Sequence, residues 1–175
     1  MNRIFWGILF VVINLNFDIG KGSIDALPDF IGYLLLMKGM EAMSDEADAF
    51  DTGHGMSVVL VLYSAMMFVL NLLNPPILQS GKLWALPLIG AVLNLILLQY
   101  LVNGVEQIER DYKWKLGGGR LHALWNVQLV LLPAMFLTRS MELVSLLCGL
   151  GSSLVSLFFM ISMYFTQKAY ADCQK

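Results

Sequence analysis

Apolar positions in this chain come in long blocks rather than at alternating spacing. Residues 4–17, 56–73, 83–102, 121–137 and 141–165 hold almost no ionised side chains, and 28–43 carries only Asp29, Lys38 and Glu41. A hydrocarbon core about 30 Å thick takes roughly 20 mostly apolar residues per helix. The blocks therefore predict an all-α polytopic transmembrane bundle of about six spans, near 4–17, 28–43, 56–74, 83–104, 121–138 and 141–165. The first block is short and the second carries polar residues, so five spans plus a re-entrant or interfacial segment is the alternative.

Local signals set the boundaries. Pro28 suits the first turn of helix two, where a missing N–H costs nothing. Asn74-Pro75-Pro76 ends helix three, since a residue before proline avoids helical geometry. Gly117-Gly118-Gly119 breaks the chain between helices four and five. Pro87 and Pro133 fall inside spans and should kink them. The stretch 104–116 reads as a helical extension of span four, with Glu106 and Arg110 an i,i+4 pair and Tyr112 and Trp114 as interfacial anchors. The acidic run Glu41, Asp45, Glu46, Asp48, Asp51 reads as a solvated loop, with His54 in a glycine-flanked loop after it.

Composition narrows the class further. Hydrophobic residues make up 58% of the 175, more than a soluble domain of this size carries in such blocks. The longest polar stretches, 44–55 and 104–120, are too short to bury a core, so residues 1–175 form a single integral-membrane domain. Eleven basic and 13 acidic residues give a formal charge of −2, which leaves no nucleic-acid footprint. Cys148 lies mid-helix and Cys173 in a polar tail, so neither a disulfide framework nor a metal pair is implied. Arg3 and the apolar run after it resemble a signal peptide, but no small-x-small site follows, and the run reads as a retained helix.

Lysine and arginine set the orientation. With the N-terminus in the cytoplasm, Arg3, Lys38, Arg110, Lys113, Lys115, Arg120, Lys168 and Lys175 lie inside, and Lys21, Lys82 and Arg139 lie outside. Six spans return the C-terminus to the same side. The expected location is the cell membrane, multi-pass, with both termini cytoplasmic and the lipid bilayer as the first partner.

Candidate chemistry concentrates in residues 17–33. Asp18, Lys21, Asp25 and Asp29 stand where span one hands over to span two. Ionisable groups at membrane depth are costly and normally face a partner or a wet cavity. Lys21 is the obvious partner, and Asn14 lies one turn before Asp18. Two readings compete: Asp25 as a helix cap with Asp29 favoured by the helix dipole, or a site for a cation, proton or substrate ammonium group. The pattern Asp-x-Leu-Pro-Asp-Phe-Ile-Gly-Tyr, Asp25 to Tyr33, resembles uncharacterised small multi-pass membrane proteins of Firmicute-type bacteria over roughly residues 4–40. That resemblance implies a location and a fold type, and no reaction.

A second constellation comprises Asn94, Gln99 and Asn103 in span four with His122, Asn126 and Gln128 in span five. His122 and Asn126 are one turn apart, and a lone histidine at a helix start reads first as a hydrogen-bonded structural residue. No metal spacing surrounds it. An offset of 97 residues lays 24–29 on 121–126, which suggests a three-helix unit repeated once in inverted topology, as in several secondary transporters. In span six, Ser145, Gly149 and Ser153 recur at i, i+4, i+8, with Cys148, Ser152 and Ser156 as the adjacent row. Such rows let helix backbones approach closely. Met37, Met40, Met43, Met66 and Met67 read as filling.

No catalytic residues emerge, and no cofactor or metal is implied. Gly-x-Ser-x-Gly, His-Glu-x-x-His and phosphate-loop patterns are missing, and Asp18 with Asp29 meets only loosely what an aspartyl intramembrane enzyme needs. The expectation leans away from an enzyme. It favours a non-enzymatic structural or complex-forming membrane component, with a protein partner or a second copy of the chain beside it. The alternative is a small-solute or ion carrier using Asp18, Asp25 and Asp29 outside and His122 and Asn126 inside.

Overall fold

The computed structural model describes residues 1–12, 16–19, 22–25, 29–73, 85–138 and 140–174; of 16–19, 22–25, 71–73 and 85 it describes the backbone. Among these residues six helices follow one another: α1 (Asn2–Val12), α2 (Asp29–Glu41), α3 (Asp48–Leu73), α4 (Ala85–Tyr112), α5 (Gly118–Leu137) and α6 (Glu142–Cys173). Between α1 and α2 lies a two-stranded antiparallel hairpin, β1 (Asn16–Ile19) with β2 (Gly22–Asp25). The chain is thus an all-α bundle with one small hairpin. Four of the helices, α3 to α6, are long and apolar enough to cross a bilayer alone.

The hairpin revises the expected start of the bundle. Residues 16–17 leave helix one, and at about 1.5 Å per residue the 11 residues of α1 and 13 of α2 fall short of the hydrocarbon thickness. Asp18 and Asp25 sit on strands, opposite Ser23 and Asn16, so Asp25 is not the cap of α2. Lys21, Asn14, Pro28 and the Asn74-Pro75-Pro76 stop lie outside the described residues.

Packing lengthens the later helices beyond their hydropathy blocks. Helix α3 begins eight residues early, at Asp48, and takes Asp51 and His54 out of the expected loop. Two acidic residues suit a helix start, and Phe50, fully buried, pins that turn against the backbone of Gly104. Gly53 does not break the helix, because its bare face receives Met40. Glu46 is drawn out of the solvated run as well, lying beside the hydroxyls of Tyr112 and Tyr170. Helix α6 runs to Cys173 instead of ending near 165, since Met163, Thr166 and Tyr170 are buried on the bundle side. Gly118 and Gly119 belong to α5, and only Gly117, at φ 90°, makes the break.

Glycine drives the tightest seam. A Cβ on Gly7 would sit 2.8 Å from Gly32 O, and one on Gly39 2.9 Å from Ile4 N. Antiparallel α1 and α2 therefore meet backbone to backbone, which substitutes for the hydrophobic drive absent inside lipid. This seam went unmarked in the sequence. On α6, in the expected row, Ser145 Oγ donates to Met135 O at 3.3 Å and Gly149 faces Met135. Ser153 is exposed and donates to its own helix at Gly149 O. A second polar contact to α5 is made by Ser152 of the adjacent row, which accepts from Gln128 Nε2 at 2.6 Å. Among the methionines, Met40 and Met43 fill the core, while Met66 is exposed.

Neighbouring helices run in sequence order around the bundle, α1 beside α2 through to α5 beside α6, and α6 closes on α1. That ring does not contain the inverted repeat suggested by the 97-residue offset. An in-plane two-fold axis reverses the sense of rotation, so it cannot carry α1–α2–α3 onto α4–α5–α6 when both run the same way round. The lengths disagree too, 11 residues in α1 against 28 in α4. Both termini lie at one end, where Gln167 Nε2 donates to Asn2 Oδ1 at 3.0 Å.

Candidate functional site

The end of the bundle opposite the termini holds a cavity of about 350 Å³ bounded mainly by α2, α3 and α4. Helical spacing delivers its polar groups. On α2, Asp29 and Tyr33 are one turn apart; on α3, Tyr63 and Ser64 stand side by side; on α4, Gly90 and Asn94 are one turn apart. Gly90 is bare for a reason: a Cβ there would meet the Tyr63 ring at 2.7 Å. The ring lies in that gap, and Tyr63 Oη donates to Leu86 O at 2.5 Å. Among the described residues no basic side chain lines the cavity. It offers one carboxylate, two phenols, a hydroxyl and an amide, an arrangement that suits a cationic or hydroxyl-bearing guest.

Asn94 also borders a smaller void of about 40 Å³ deeper in the bundle, which Gln128, Trp125 and Ser156 share. That volume is enough for water-sized occupants. Gln128 Oε1 is buried there with no hydrogen-bond partner among the described residues, while Trp125 Nε1 donates to Leu95 O at 2.9 Å. Beyond this point the axis is closed by Leu97, Leu101, Leu121 and Met163, all fully buried.

The terminal end is built as a clamp. Glu109, near the end of α4, accepts the backbone N–H groups of Leu116, Gly117 and Gly118 at 2.6, 2.7 and 3.2 Å. One turn earlier, Glu106 Oε1 lies 2.8 Å from His122 Nδ1. The expected Glu106–Arg110 pair is therefore replaced by a contact between helices. Residues 113–117 dock on α6 through Thr166, which donates to Leu116 O at 2.8 Å, and through Trp114, whose ring meets Tyr170 edge-on at 5.8 Å. Tyr112 stacks on Trp114 at 4.8 Å. These aromatic rings serve the turn as well as the interface.

Of the residues singled out from the sequence, Asp29 lines the cavity, and Asp18 and Asp25 are placed by backbone alone. His122 has Glu106 as partner, and Asn126 is exposed on α5; the two do not form the inner half of a carrier site. Asn94 moves from the second constellation to the cavity, while Gln99 points outward. Tyr63 and Ser64 were missed. The signal available for them was a polar pair inside an otherwise apolar block. No group of three or more metal-ligating side chains occurs among the described residues. No family model, curated protein or solved structure matches the chain.

Proposed function

We propose that this chain is a small-solute carrier or receptor of the cell membrane, taking a small cation or ammonium-bearing solute into the cavity at Asp29. The cavity itself supports this reading most. A carboxylate at membrane depth is expensive and is retained where it faces a partner or a wet site, and here it shares a cavity with phenol, hydroxyl and amide groups. The apolar plug of Leu97, Leu101, Leu121 and Met163 below Asn94 separates the cavity from the terminal end, which suits a carrier resting open to one side. Arg3, Lys38, Arg110, Lys113, Lys115, Arg120 and Lys168 belong to the terminal end, and the positive-inside bias supports an orientation with both termini in the cytoplasm and the cavity facing outside.

The test is thermal unfolding of the full-length protein in detergent with sodium, potassium, ammonium or methylammonium chloride at equal ionic strength. At least one cation should raise the midpoint of the wild type and leave Asp29→Asn unmoved, since asparagine keeps the shape and loses the charge. A wild type indifferent to all four would overturn the reading.

A second reading, a non-enzymatic component of a larger membrane complex, draws on one observation. Helix α6 exposes Leu143, Leu147, Leu150, Leu154, Leu157 and Ile161 along one side, the 3–4 spacing of a helix-pairing seam. Crosslinking at Leu150→Cys in native membranes should then yield one discrete adduct, and none if lipid alone covers the face.

A further inference from the structure

At the terminal end, a groove of about 340 Å³ between α5 and α6 is lined by Arg120, Phe165, Lys168, Ala169 and Asp172. It takes no part in the cavity at Asp29. Along α6 the residues Phe158, Ile161, Phe165, Lys168 and Asp172 follow at i, +3, +4, +3, +4, so they form one stripe. The stripe changes character along its length. Phe158, Ile161 and Phe165 are apolar and about half exposed, at 58%, 46% and 51%, and Lys168 stands one turn beyond, in the last turns of the helix. Arg120, in the first turn of α5, brings a second cation from the neighbouring helix. Neither Arg120 nor Lys168 forms an ion pair among the described residues. Asp172 adds a carboxylate to the lining.

The geometry points to a site for one anionic phospholipid, with its phosphate held between Arg120 and Lys168 and an acyl chain lying along Phe165, Ile161 and Phe158. A guanidinium, lying against Gly117, and an ammonium from the next helix line one groove and match a phosphodiester in charge and in hydrogen-bond donors. Basic pockets between membrane helices at the interface are suited to such headgroups. The apolar continuation of the stripe selects a lipid over a soluble phosphate, because a free anion gains nothing from three exposed apolar side chains pointing toward the bilayer centre.

The experiment compares thermal unfolding of the full-length protein in phosphatidylcholine nanodiscs with and without phosphatidylglycerol. Phosphatidylglycerol should raise the midpoint by a few degrees. Arg120→Gln with Lys168→Gln should lose most of that rise while matching the wild type in phosphatidylcholine alone. Lys113→Gln with Lys115→Gln, equally basic and at the same end but outside the groove, should keep it. Three results would overturn the site: no rise with phosphatidylglycerol, equal loss in the control pair, or the same rise produced by inorganic phosphate in phosphatidylcholine discs. Should the groove double variant unfold even in phosphatidylcholine, Asp172→Asn decides, since removing the groove's carboxylate should enlarge the phosphatidylglycerol rise. An unchanged or smaller rise there counts against the site.

Discussion

Glu109 shows how a single side chain can hold two spans in register. Its carboxylate receives three backbone N–H groups where α5 begins, donors that a helix start leaves unpaired. Glu109→Ala should cost about 1–3 kcal/mol, the penalty for stranding part-buried donors, and Glu109→Gln should cost less because its amide oxygen still accepts. Urea unfolding in a mild detergent measures both, and an alanine variant as stable as the wild type would show that water replaces the carboxylate freely. Sequence reading reached the wrong partner for the neighbouring Glu106. Arg110 lies four residues away and is visible in the linear order, whereas His122 becomes a neighbour only when the chain turns back at 113–117. Asp29 was legible for the opposite reason, since a charge inside an apolar block is conspicuous whatever surrounds it.

Between elements, close approach decides stability more than apolar content does. A methyl group on Gly32 would meet Val11 Cγ2 at 2.7 Å and Gly7 O at 3.0 Å, while one on Gly149 would meet only Met135 Sδ at 3.5 Å. Gly32→Ala should therefore destabilise by roughly 1–3 kcal/mol, the usual cost of overfilling a tight contact, and Gly149→Ala should be nearly neutral. Parallel melts of the two variants in detergent test the ranking; equal midpoints would mean that α1 separates from α2 at little cost. Sequence reading had placed the small-residue seam on α6, because serine and glycine recur there at regular spacing. The seam between α1 and α2 uses three glycines from two separate segments, and no periodicity within one segment announces it. Helix ends were misjudged for a related reason. Hydropathy stops where polar residues begin, but α3 and α6 continue through polar turns because Phe50 and Tyr170 are buried there.

For the whole molecule, the alternation of six helices places the termini at one end and the 138–141 turn at the other. In a variant with Cys148 and Cys173 replaced by serine, Ser140→Cys should react with a membrane-impermeant thiol reagent in intact cells. Lys115→Cys should react only after the membrane is opened. Labelling of Lys115→Cys alone in intact cells would invert the orientation and turn the cavity at Asp29 toward the cytoplasm. The ring order of the helices also bears on mechanism. A carrier built on this ring cannot alternate by exchanging two inverted halves, so access must change by movement at the plug of Leu97, Leu101 and Leu121.

By itself the sequence determined the solvent and the fold class: blocks of apolar residues long enough for a bilayer, in a chain with few charges to spare, call for membrane helices in any arrangement. It left the number of crossings open between six and five plus a re-entrant or interfacial segment, and four helices, α3 to α6, are long and apolar enough to cross alone. Tertiary structure alone decided that Asp29, Tyr63, Ser64 and Asn94 share a cavity, that Glu106 belongs to His122, and that α1 and α2 touch at glycine. Hydropathy and helical period are sums over neighbours in the chain, and they carry no term for residues brought together by packing from separate helices. A polar residue in an apolar block announces that it needs a partner; which partner it finds depends on the order and rotation of the helices around the ring.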